Sequence, residues 1–189
     1  MKILSILFII IVGTLGHFIF EWSGHRKWAG IFFAVNESTW EHIKLSIYPT
    51  VIWFFIEWAV NGWSSVLPLA TAAALVSMML LIPGIFYAYT AIVGKNFLIA
   101  DIIVFVVSII IGMEIFYGIL TGIGNIGPAT EIISFTVIAA IIGMYLTFSY
   151  HPLHCFLFKD PVSGGFGPYG HDCNSDFHGV HSHHHKHKH

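Results

Sequence analysis

The chain has 189 residues, 56% of them hydrophobic and 10% charged, with a formal net charge of −2; soluble domains carry roughly a quarter charged residues, so an ordinary water-facing surface is excluded. No cluster of Lys and Arg is available to neutralise phosphates, which excludes a nucleic-acid partner. Two cysteines, Cys155 and Cys173, outside any C-x-x-C spacing, exclude a disulfide framework.

Lys2 is followed by an apolar run that continues through Phe18 to Trp22 with no small-residue cleavage site after it. It reads as a retained first helix over 3–22 rather than as a secretory signal. Further apolar runs at 43–61, 64–92, 97–121 and 131–150 each exceed the roughly 18 residues that mark a bilayer-spanning helix. Backbone polar groups in hydrocarbon must be satisfied within such helices. The expected fold class is therefore all-α: an integral membrane bundle of about five transmembrane helices over 1–150, a Pro/Gly-rich segment over 151–170, and an irregular histidine-rich tail over 171–189. The lipid bilayer is its first partner. Arg26, Lys27, Lys44, Lys95 and Lys159 fall on one side of the bundle and Lys2 alone on the other. The positive-inside rule then predicts a cytoplasmic C-terminus and an outside N-terminus, in the plasma membrane.

Between the first two spans, Arg26-Lys27-Trp28 followed by Ile31-Phe32-Phe33 suits a segment lying in the interface. Ser38 and Glu41 then have capping-box spacing at the head of the second span. Asn36-Glu37-Ser38 is sequon-like but falls on the predicted cytoplasmic side, so no glycosylation is expected. Pro49, Pro68 and Pro83 fall inside spans, where a proline removes a helix hydrogen bond and tends to kink the helix. Gly118 and Gly122 form a G-x-x-x-G pair that would allow close helix contact. After Tyr150 the chain turns to His151-Pro152-Leu153-His154 and then to turn formers, where no helix should persist.

Ionisable side chains are costly in hydrocarbon, roughly 2.5–3.5 kcal/mol each on insertion scales, so their depth is the best functional clue. His17 and Glu21, four residues apart, share a helical face near the inner end of the first span. Glu37, Glu41 and His42 lie at the head of the second, Asp101 enters with the fourth, and His151 and His154 leave the fifth. This places imidazoles and carboxylates in one layer, with His17, Glu21, Glu41, His42, Asp101, His151 and His154 as the candidate metal ligands, His17 and Glu21 at their core beside Glu41 and His42. Mixed nitrogen and oxygen donors suit zinc, nickel or another divalent transition metal. The competing reading is that the acidic residues cap helix N-termini, which covers Glu41 and Asp101. Glu57 and Glu114, each about fifteen residues in from that layer, are expected to pair with each other. The tail supplies a second, unspecific set of ligands in His171, Cys173, His178, His181, His183, His184, His185, His187 and His189.

The stretch from Gly16 to Gly24, the run Val35-Asn36-Glu37-Ser38-Thr39-Trp40-Glu41-His42 and the segment Phe158-Lys159-Asp160-Pro161 through Gly167 resemble a family of small prokaryotic membrane proteins catalogued only as a domain of unknown function. The resemblance spans about residues 13–167. It implies a multi-helix membrane domain and supplies no activity. The function expected from the residues is binding or transport of a divalent transition metal at the inner polar layer. The alternatives are an intramembrane metal-dependent hydrolase with a spare carboxylate such as Glu41 as general base, and a structural or assembly subunit in a homo- or hetero-oligomer.

Overall fold

The computed structural model describes residues 1–161 and 163–167. Six α-helices follow in order: α1 (Lys2–Trp22), α2 (Lys27–Phe32), α3 (Thr39–Asn61), α4 (Leu67–Val93), α5 (Leu98–Gly122) and α6 (Pro128–Phe148), then a single 3-10 turn over Phe156–Phe158. All but α2 are long and apolar enough to cross a membrane. The 21 residues of α1 or α6 extend about 31 Å, close to the hydrocarbon thickness of about 30 Å. The chain is an all-α membrane bundle. Ile132 and Ile133 on α6 and Leu98 and Ile99 on α5 stand well exposed, as expected of side chains that face lipid rather than a core.

The α4 helix packs against α3, α5 and α6, while α1 packs on α3 and α5. One core cluster, around Ile9, Trp53, Met78 and Phe116, joins α1, α3, α4 and α5. A second, around Trp40, Ile47, Leu75 and Tyr145, joins α3, α4 and α6. Glycine permits the closest approach at two other points than the G-x-x-x-G pair. A Cβ on Gly13 would stand 2.6 Å from the Leu45 carbonyl oxygen, and one on Gly112 would stand 2.5 Å from Met78 Cε. A Cβ on Gly118 or Gly122 would meet nothing within 4 Å among the described residues. The expected close contact is therefore absent at that pair, because its face of α5 meets no neighbouring helix there.

Pro49 and Pro83 are internal to their helices, but Pro68 occupies the first turn of α4, where its missing N–H has no helical partner to lose. At the head of α3 the capping box is half formed. Ser38 Oγ accepts the Glu41 N–H, yet Glu41 does not return the bond. Its carboxylate is committed to the Val35 N–H and to Lys44, and Ser38 N–H donates instead to Asn36 Oδ1.

The segment after α6 folds back on the head of α3. Phe158 stacks on Trp40 with ring centroids 4.5 Å apart. Lys159 pairs with Phe166 in a tight turn, and Gly167 O accepts Asn36 Nδ2–H at 3.3 Å. The expected interfacial segment is α2, a six-residue helix with Trp28 and Phe32 exposed. It packs on α1, α3 and α6, and the Tyr150 hydroxyl donates to the Lys27 carbonyl.

Candidate metal centre

Three connections, 22–39, 93–98 and the segment after 148, meet at one end of the bundle, and the ligating side chains gather there. The α1–α3 contact at Gly13 lets α1 lie directly on α3, which brings His17 of α1 opposite His42, one turn into α3. Their rings meet edge to face with centroids 5.3 Å apart. Glu37, in the connection before α3, sits between them, with Oε2 3.5 Å from His17 Nε2 and 3.6 Å from His42 Nε2. Among the described residues these three form the group of ligating side chains whose donor atoms all lie within 4.8 Å of one another. Each is about a third to a half exposed, so the cluster is open on one side.

The protonation pattern follows from the partners. His42 Nδ1 lies 3.0 Å from the Ser38 carbonyl oxygen. A carbonyl only accepts, so Nδ1 carries the hydrogen, and in the neutral ring Nε2 presents its lone pair to Glu37. A lone pair facing a carboxylate oxygen at 3.6 Å is an unfavourable arrangement unless a proton or a metal ion stands between them. The His17 imidazole holds the Glu37 carboxyl below the usual carboxylate range, and His42 adds to this, against the opposing effect of partial burial. Around a tetrahedral metal with bonds of about 2.0–2.2 Å, neighbouring ligand atoms stand about 3.3–3.6 Å apart. The two nitrogen-to-oxygen separations match that edge length.

A buried ion pair anchors the connection that carries Glu37. Lys44 Nζ donates to Glu41 Oε2 at 2.7 Å, to Gly30 O at 3.0 Å and to Phe33 O at 3.4 Å, while Glu41 Oε2 also accepts Val35 N–H at 3.1 Å. Both side chains are essentially inaccessible. Removing one partner of such a pair typically costs about 3–5 kcal/mol because the other charge stays buried. Three of these bonds staple residues 30–35 to α3 and hold the connection that carries Glu37. The bonds to Glu41 from Lys44 and Val35 both fall on Oε2, so that oxygen of Glu41 is committed to the ion pair and to the Val35 N–H.

The remaining candidates are dispersed around this end. Glu21 lies one turn beyond His17 and is exposed. Asp101, in the first turn of α5, accepts the Tyr89 hydroxyl and, at 3.4 Å, Asn96 Nδ2–H, which ties the α4–α5 connection. His151 is exposed just after α6, and His154 is exposed with its ring 4.8 Å from Phe166. Among the described residues, the gathered group holds His17 and His42 of the seven expected ligands, with Glu37 as its third member. The tail residues His171, Cys173, His178, His181, His183, His184, His185, His187 and His189 lie outside the described residues.

At the opposite end Glu57 and Glu114 do not pair as expected. Glu57 is buried and accepts from Asn61 Nδ2 at 2.6 Å and from the Tyr117 hydroxyl at 2.8 Å, while Glu114 meets Lys2 Nζ at 2.9 Å. Glu37 is the residue that the ligand set left out. It belonged to the polar layer, but as a loop residue before the helix it has no periodicity to place it, and the bonds of Lys44, Asn36 and Ser38 hold the connection that carries it.

The family model described as Family of unknown function (DUF6512) matches residues 1–168. No curated protein and no solved structure matches the chain.

Proposed function

We propose, from the premise that the chain belongs to this family of unknown function, that it is a membrane protein which binds a divalent transition metal, zinc first, at His17, Glu37 and His42. One observation carries the reading: two imidazole Nε2 atoms converge on a single carboxylate oxygen, at 3.5 and 3.6 Å, with the His42 Nδ1 hydrogen already committed to a backbone carbonyl. An outer hydrogen bond of that kind orients a metal-binding imidazole and raises its basicity. Lys44 and Glu41 are positioning residues, holding the Glu37 connection in place without reaching the metal.

Three protein ligands with an open side leave a fourth position for water or a small ligand. Binding at one face is the role that these ligands support. Orientation follows the basic residues, so this face is the cytoplasmic one. The histidine-rich tail beyond residue 170 acts as a separate, weaker collector of metal.

The test is metal content and zinc affinity of the full chain and of a chain ending at residue 170. Deleting the tail should remove a weak class of sites and leave one tight site per chain. In that background His17→Ala, His42→Ala and Glu37→Gln should each weaken binding by more than the ~10–100-fold typical of losing an outer partner, while Glu21→Gln and Asp101→Asn retain it. Metal content at background in the tail-deleted parent would remove the bundle site altogether.

A further inference from the structure

One recess in the bundle is unused by the metal reading. A cavity of about 240 Å³ lies beside the cluster, between α1 and α3 and beneath the end of α2. Its walls are Val12, Gly13 and Gly16 of α1, Phe32 and Phe33 above, and α3 from Leu45 to Ile52. Gly13 and Gly16 line it at the points where α1 comes closest to α3, with no room for a Cβ at Gly13. The Phe32 ring roofs it by meeting Tyr48 edge to face, with centroids 5.3 Å apart.

Three features fix the occupant. The lining is almost wholly apolar, with Tyr48 the one side chain in it that carries a polar atom. The recess runs seven residues along α3, about 10 Å at 1.5 Å per residue, parallel to the spanning helices. Phe32 and Ile52, which border it, are both exposed. The volume is below the ~300–1,000 Å³ typical of pockets for compact ligands and suits one extended chain. Arg26 and Lys27, both exposed, stand at the other end of α2, about 7.5 Å along the helix from Phe32.

We infer that this recess seats one acyl chain of an anionic membrane phospholipid, with the phosphate of the head group at the level of Arg26 and Lys27. The inference rests on the shape and lining of the recess and is independent of metal at the neighbouring cluster.

The experiment reconstitutes the full chain in vesicles of equal parts phosphatidylcholine and phosphatidylglycerol, with a trace of either lipid carrying a diazirine on its acyl chain, and maps the photoadducts by peptide mass spectrometry. Adducts should concentrate on 12–16 and 45–52 above the density on exposed Ile132 and Ile133 of α6. Val12→Trp, which fills the recess, should bring them down to that level while zinc content is unchanged. Ile52→Trp at the exposed mouth should do the same and guards against a folding defect in the first variant. Lys27→Gln should reduce the preference for the phosphatidylglycerol probe by about fivefold, the effect of one basic residue at an anionic surface. Adducts spread evenly over the lipid-facing residues, or unchanged in both tryptophan variants, would overturn the chain site. Equal labelling by the two lipids in the parent would overturn the anionic head group. Loss of zinc in His42→Ala with groove adducts intact would separate the lipid site from the metal reading.

Discussion

At the residue scale, Glu37 is the hinge of the candidate metal centre, because both histidines approach the same oxygen. Its carboxyl titrates below the usual carboxylate range through the His17 imidazole first, with His42 contributing. The sign of the linkage follows directly. A carboxyl whose folded value lies below its unfolded value of about 4.3 contributes stability that is present above that pH and is lost as pH falls through the folded value. Thermal unfolding in EDTA between about pH 3 and 6 should therefore show a steeper acid loss for the parent than for Glu37→Gln. Parallel curves would mean that the carboxylate gains nothing from the imidazoles in the metal-free protein. Glu37 is half exposed, so the difference should be small, and metal binding is the larger readout.

At the scale of elements, the α1–α3 contact decides whether the histidines meet. Pro49 has no N–H to offer the Leu45 carbonyl four residues before it, and Gly13 of α1 packs against that same carbonyl. A Cβ at Gly13 would stand 2.6 Å from the oxygen and 2.9 Å from Phe105 Cζ. Backbone cannot yield as a flexible side chain can, so Gly13→Ala should push α1 off α3. The expected cost is about 1–3 kcal/mol, the usual range for overpacking, together with weaker zinc binding as His17 moves from His42. Gly118→Ala and Gly122→Ala meet nothing and should be neutral or stabilising by up to about 1 kcal/mol through helix propensity. Thermal stability in detergent and zinc affinity, measured on all three variants, check the contrast. Equal behaviour of Gly13→Ala and Gly118→Ala would show that the close contact does not position the site.

For the whole molecule, five spans put the two ends of the bundle on opposite sides of the membrane. The charge asymmetry that orients it changes in detail with the structure. Lys44 is buried in its pair with Glu41 and belongs to the interior, and Lys2 is engaged by Glu114. Arg26, Lys27, Lys95 and Lys159 still outweigh Lys2, so the end that holds the candidate metal centre should face the cytoplasm. Cys155, exposed after α6, is a suitable probe in a Cys173→Ser background, where it is the single thiol. A membrane-impermeant maleimide should label it after permeabilisation. Labelling in intact cells would reverse the topology and put the metal centre outside.

The sequence by itself determined the helices, because in hydrocarbon each span must close its own hydrogen bonds and declares itself by length and apolarity. All five were legible, with α3 starting four residues earlier than the apolar run because Ser38 caps it. The polar end was legible too, since ionisable groups collect where the spans meet water. Which of those groups touch was decided by the tertiary structure. His17 is brought to His42 by the close approach of Gly13 to the Leu45 carbonyl, Glu41 is paired with Lys44, and the connection that carries Glu37 is held by the bonds from Lys44 to Gly30 and Phe33. Each of these depends on the rotation and separation of neighbouring helices. Hydropathy is indifferent to both, because lipid solvates one apolar face as well as another; only the packing of particular side chains fixes them.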